Sequence, residues 1–126
     1  MIFNEDKSKI LFCKRVKDPY KGLYNLPGGK VEEGEEHLAA AYRELFEETG
    51  ISKAQVKLFH LMDLTYHFRD FSLEIYVGKL NEPAILTMEL NPLEWLSVSE
   101  DFQDRNRFAG DQNMGHIVNV AFMCPL

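Results

Sequence analysis

Only two cysteines stand in the 126 residues, Cys13 and Cys124, at opposite ends of the chain and in no C-x-x-C spacing. A disulfide framework and a thiolate zinc knuckle are thereby excluded, and two free thiols in a reducing cytoplasm are expected. No apolar run is longer than five residues, far short of the roughly 20 that a membrane-spanning helix needs. The opening Met1-Ile2-Phe3-Asn4-Glu5-Asp6 lacks the basic and then apolar order of a secretory leader, so none is expected. The four histidines (His37, His60, His67, His116) show no i,i+4 or H-x-H spacing, and nothing in the sequence marks them as metal ligands. Positive charge is scarce too: 14 Lys and Arg face 20 Asp and Glu, a net of −6. Coating a nucleic-acid polymer or a membrane surface works through a positive field. Neither partner is expected, and the expected location is cytoplasmic.

What is present is unevenly placed. Residues 1–30 carry Lys7, Lys9, Lys14, Arg15, Lys17, Lys21 and Lys30 against Glu5, Asp6 and Asp18. Seven glutamates then fall between residues 32 and 48. A basic leader is followed by an acidic block.

Patterning predicts one domain over residues 1–126, β-rich with two helices, of the mixed α/β (α+β) class. Ile2-Phe3 and Ile10–Cys13 flank a polar turn and read as a hairpin. Tyr24-Asn25-Leu26 is a short extended piece broken by Pro27-Gly28-Gly29. Residues 35–49 read as a helix, because Leu38, Ala41, Tyr42, Leu45 and Thr49 recur on one stripe. Gly50 stands where a left-handed glycine ends a helix. Val56–Tyr66 and Phe71–Leu80 read as strands with Arg69-Asp70 at their tip, and Leu93–Val98 as a further strand after an Asn91-Pro92 turn. Met114, Ile117, Val118 and Ala121 make a second amphipathic helix, for which Asp111 or Asn113 offers a cap.

On the first helix Glu44, Glu47 and Glu48 stand at i, i+3 and i+4 and project within roughly 100° of arc. Like charges at that spacing disfavour a helix by a few tenths of a kcal/mol per pair, whereas a hard divalent cation wants such oxygen ligands. A solvated acidic face, with Arg43 and Glu47 as an i,i+4 pair, is the alternative. Pro27-Gly28-Gly29 just upstream supplies backbone that can approach a cation or phosphate closely.

From Gly29 the sequence runs Gly29-x5-Glu35-x7-Arg43-Glu44-Leu45-x-Glu47-Glu48-x-Gly50-Ile51. This resembles the Nudix box, G-x5-E-x7-R-E-U-x-E-E-x-G-U with U aliphatic, at every specified position. Leu26–Glu32 before it and Ile10–Arg15 further upstream are similar to MutT-type members. The resemblance implies the Nudix fold, a mixed sheet sandwiched between helices, and hydrolysis of a pyrophosphate bond in a nucleoside diphosphate or triphosphate derivative. It implies a Mg²⁺ or Mn²⁺ requirement, with Glu44, Glu47, Glu48 and the Gly28 carbonyl as metal ligands. Gly29, Glu35 and Arg43 become structural supports, Arg43 orienting the carboxylates. Glu89, six residues before Trp95 of the Glu94-Trp95 pair, matches a further metal-site acid of MutT-like members; the alternative is a loop carboxylate in water. The general base would be Glu44 or, second, Glu89, with Glu48 completing the catalytic carboxylates. Arg15 and Lys14, at the end of a strand, are candidates to hold substrate phosphates.

For the substrate, the resemblance to MutT-like 8-oxo-dGTP diphosphatases implies an oxidised deoxynucleoside triphosphate. Asn113 then matches an asparagine that reads the purine edge, a task suited to an amide with one donor and one acceptor side; its alternative is the helix cap. Tyr66 falls near a tyrosine of dinucleoside polyphosphate hydrolases, so that activity stands as a second reading. A nucleotide-sensing Nudix module without catalysis is a third, although such modules lose box carboxylates and this box keeps all of them. Family members are monomers or homodimers.

Overall fold

The computed structural model describes residues 1–126. Strands β1 (Ile2–Phe3), β2 (Lys9–Lys14) and β3 (Tyr24–Asn25) precede helix α1 (His37–Thr49). Then come β4 (Phe59–Tyr66), a 3₁₀ turn (His67–Arg69), β5 (Phe71–Lys79), β6 (Leu93–Ser97) and helix α2 (Asn113–Met123). The six strands form one mixed sheet in the order β3-β2-β1-β5-β4, with β6 paired to β2. β1 runs parallel to β5 through Ile2↔Gly78 and Phe3↔Lys79, and every other pairing is antiparallel.

Alternation along the strands explains why a helix lies on each face. Successive strand side chains point to opposite sides. Phe3, Ile10 and Phe12 enter one buried cluster with Ile75, Val77 and the α2 residues Met114, Ile117 and Val118. Ile2 and Leu11 enter a second cluster with Leu45 of α1, Ile51, Val56, Leu58 and Leu80. One residue in two therefore serves each layer, and the sheet is sandwiched between α1 and α2, the Nudix arrangement of mixed α and β elements that the motif implies.

α1 begins two residues later than its apolar pattern predicts. Glu36 is the cap: its carboxylate accepts from the amides of Leu38 (3.2 Å) and Ala39 (3.0 Å), which satisfies two of the donors left open at a helix start. Gly50 closes the helix in the left-handed region (φ 78°), its N–H reaching the Phe46 carbonyl. Val56 lies outside β4 and makes only a single bridge with Leu80. The α2 cap also differs from expectation. Neither Asp111 nor Asn113 caps it; Gln112 occupies the cap position with no side-chain bond, and Asn113 is the first helical residue. Asn113 instead turns its amide sideways to the Tyr66 hydroxyl. No helix is long and apolar enough to cross a membrane.

Thr49 is the one polar residue in the buried core. Its hydroxyl donates to the Leu45 carbonyl (2.7 Å) and accepts the Ile51 amide (3.1 Å), joining the end of α1 to the chain that leaves it. Thr49→Val keeps the volume but orphans the Ile51 N–H. The expected loss is about 1–3 kcal/mol of unfolding free energy, read from urea denaturation; an unchanged midpoint would show that the link carries no stability.

Candidate active site

Arg43 organises the carboxylates. A guanidinium has five N–H donors in a planar fork, and all five are used. Nε and Nη2 grip Glu35 bidentately (2.7 and 2.9 Å), and Nη2 also reaches the Lys30 carbonyl (3.0 Å). Nη1 donates to Glu44 Oε1 (2.9 Å) and Glu47 Oε2 (3.1 Å). Glu35 takes the Glu32 amide as well (3.0 Å). The Arg43 bonds, and then that amide, hold its carboxyl down at about 2, while the same bonds keep Arg43 firmly protonated. The segment before α1 is thus bound to the helix by charge-assisted bonds rather than by apolar packing.

The three box glutamates converge because α1 places them on one face and the glycine loop closes against it. The Gly28 amide donates to Glu48 Oε2 at 2.7 Å. Gly29 lies so close to Glu44 that a Cβ there would run into the carboxylate and push it off its bond to Arg43. Glu44, Glu47 and Glu48 line a cavity of about 250 Å³ with Gly28 and Gly29, and Glu89 enters it from the loop before β6. Burial raises the Glu48 pKa, the Gly28 amide opposes that shift, and the nearby charges of Glu44 and Glu89 add to it.

This donor set suits a hard divalent cation. Four carboxylates and a glycine loop offer only oxygen and backbone ligands, the chemistry of Mg²⁺ or Mn²⁺. Burial first, and then the Glu44 and Glu89 charges, raise Glu48, and a bound cation relieves both effects. The Cys13 thiol on the same cavity wall is pushed up to about 11, first by burial and then by the Glu48 charge, so it stays an inert thiol near neutral pH.

A larger cavity of about 910 Å³ adjoins the first and shares Gly28, Glu44 and Glu48 with it. Arg15 and Asn113 both line it. Arg15 is steadied by its Nε–H to the Pro19 carbonyl (2.8 Å). The Asn113 amide donates to Tyr66 Oη at 2.8 Å, so α2 and the end of β4 meet on this wall. Lys14 is not brought to the site. Strand alternation sends it to the opposite face from Arg15, where its ammonium sits 5.5 Å over the Tyr24 ring. The cavity also includes Tyr20, Arg69 and Phe71, none of which the sequence pattern marked. Their shared feature, aromatic or basic residues in loops and at a hairpin end, has no fixed spacing to find.

The NUDIX domain family matches residues 1–117. An 8-oxo-dGTP diphosphatase from Escherichia coli strain K12 is 29% identical over 110 residues, which cover 83% of this chain and 85% of that protein. An RNA pyrophosphohydrolase from Pelagibacter ubique is 41% identical over 56 residues, 44% of this chain, which spans only 34% of that relative's length. Among solved structures, an Ap4A hydrolase of C. elegans superposes with a TM-score of 0.77 at 23% identity, covering 97% of this chain and 93% of that one, a likeness of fold. With the box intact from Gly29 to Ile51 and the family match running over nearly the whole chain, this protein belongs to the NUDIX domain family.

Proposed function

We propose that residues 1–126 form a single catalytic domain that hydrolyses a pyrophosphate bond in a nucleoside triphosphate, with an oxidised deoxynucleoside triphosphate as the favoured substrate. The observation that carries the reaction class is the convergence of Glu44, Glu47, Glu48 and Glu89 on one small cavity that opens into a larger one. The near full-length similarity to an 8-oxo-dGTP diphosphatase supports the substrate.

In this reading Glu44, Glu47 and Glu48, with the Gly28 carbonyl, hold Mg²⁺ or Mn²⁺. The bound cation supplies neutralisation of the pyrophosphate charge and acidification of a water molecule. Arg43 fixes Glu44 and Glu47 so that their oxygens are spent on binding rather than on reorientation. Of the two carboxylates suited to take the water's proton, Glu44 has Oε1 committed to Arg43. Glu89 is an exposed loop residue that lines the same cavity and is free to swing to the nucleophile, so it is assigned the base. Arg15 lines the larger cavity that carries Glu44 and Glu48 and holds substrate phosphate as a fixed cation. The Tyr66–Asn113 pair faces the nucleoside, where the amide discriminates purine edges. The net charge of −6 favours a free nucleotide over a nucleic-acid polymer as the substrate in this reading.

Three results are expected. A nucleotide panel (8-oxo-dGTP, ordinary dNTPs, diadenosine polyphosphates, ADP-ribose) assayed for phosphate or pyrophosphate release should show turnover that requires Mg²⁺ or Mn²⁺. Glu47→Gln or Glu48→Gln should lower it by at least about 10²-fold; nucleotide binding without turnover across the panel would establish a sensor instead. Glu89→Gln should reduce kcat by about 10²–10⁴-fold and flatten the acidic limb of its pH profile, and an unaltered profile would move the base to Glu44. Asn113→Ala should narrow the kcat/KM ratio between oxidised and normal guanine nucleotides by about tenfold, one lost hydrogen bond to a polar edge. An unchanged ratio would remove Asn113 from recognition.

A further inference from the structure

A second group of metal-ligating side chains lies on β4 and β5, apart from the glutamate pocket. One ligand atom from each of His60, Asp63 and Glu74 falls within 4.8 Å of the others. His60 Nε2 is 2.6 Å from Asp63 Oδ1. From a third element, His37 at the start of α1 brings Nδ1 against Glu74 Oε2. One imidazole and two carboxylates thus meet on the hairpin, with a second imidazole bonded to Glu74 from α1.

A defect in the strand pairing creates the group. His60 and Asp63 are three residues apart, a spacing that puts side chains on opposite faces of a regular strand. The register slips between His60 and Met62, so that His60 opposes Tyr76 and Asp63 opposes Glu74. Glu74 and Tyr76 share a face, and the bulge turns His60 and Asp63 onto that same face, toward α1. Re-aiming a side chain is a recurring use of such bulges. It also sets Asp63 and Glu74 directly across from each other, an arrangement of like charges that disfavours the sheet unless a cation lies between them.

We infer that His60, Asp63 and Glu74 form a three-ligand site for a zinc-class divalent cation, with His37 as an outer partner of Glu74. Three mixed imidazole and carboxylate donors, with a fourth position open to water, suit Zn²⁺, in contrast to the all-oxygen set of the glutamate pocket. Tyr76 supplies the outer support that such sites need: its hydroxyl donates to Glu74 Oε1 (3.0 Å) and its ring stacks on His60 with centroids 4.8 Å apart. The ion would brace the β4–β5 hairpin and, through the His37–Glu74 contact, bear on the start of α1. His37, Glu74 and Tyr76 also line the large cavity, so the same ion would stiffen one of its walls.

Equilibrium dialysis of the whole chain with Zn²⁺, in a large excess of Mg²⁺ that occupies the glutamate pocket, tests the site without reference to catalysis. One Zn²⁺ per chain is expected. His60→Gln and Asp63→Asn should each weaken binding by at least about tenfold, Tyr76→Phe by about tenfold, and Glu47→Gln should leave it unchanged. Substituted Co²⁺ should show the absorption bands of four-coordinate nitrogen and oxygen ligation in the wild type and lose them in His60→Gln. No Zn²⁺ retained against Mg²⁺, or binding untouched in both His60→Gln and Asp63→Asn, would overturn the site and leave plain histidine–carboxylate ion pairs. His60 and Asp63 are exposed, and thermal melts verify that each variant is folded; Glu74→Gln decides where one is not. Because hydrolysis is not measured, failure here is separate from failure of the proposed activity.

Discussion

The candidate site rests on one guanidinium. Each of the five Arg43 donors has a partner, and those partners come from the glycine loop, from Glu35 before α1 and from two turns of α1 itself. Lysine, with three donors on a flexible stem, cannot hold this planar arrangement. The fork solves a problem that α1 creates. Three glutamates on one helical face repel one another, and two of them are buried enough to feel it; side-chain exposure of Glu44 is 17% against 49% for Glu47. One cation placed between Glu44 and Glu47 lets the helix tolerate the cluster, while Glu48 is left to the Gly28 amide and carries the raised pKa.

The sheet decides how that helix meets the rest of the molecule. Leu11 and Ile2 face α1, and Phe3, Ile10 and Phe12 face α2, so a slip of one residue in β2 would exchange the two layers. The same alternation separates Arg15 from Lys14. The strand that anchors the core therefore also selects which basic side chain faces the glutamates, and packing and site geometry are set by one register.

Much of this was legible from spacing. The box fixes a loop, a helix and the face its glutamates share, and the apolar stripe from Leu38 to Thr49 places that helix against the sheet. The period-2 pattern at Ile10–Cys13 held the information that Lys14 and Arg15 diverge, although treating both as phosphate ligands passed over it. Other features had no local signature. Glu36 caps α1 because Glu35 is engaged by Arg43, a choice between adjacent identical residues that depends on a contact eight positions away. Asn113 sits one residue inside its helix and turns to Tyr66, 47 positions back. The histidine group on β4–β5 was invisible for the same reason: a bulge changes which face His60 occupies, and spacing in the sequence assumes a regular strand.

Net charge and site chemistry then fit together in one way. A chain of net charge −6 whose pocket holds four carboxylates repels a nucleotide's phosphates. Inside a partly desolvated cavity that repulsion is stronger than in water. Binding a polyanion there needs positive charge that the side chains do not provide, since Arg43 is consumed by glutamates and Lys14 points to the other face. Arg15, Lys30 and Arg69 line the larger cavity, whereas no basic side chain lines the glutamate cavity itself. In the proposed reaction the balance therefore comes from the divalent cation, and the acidic surplus makes that requirement strict: without the ion the pocket repels its own substrate, and with it the pocket binds one.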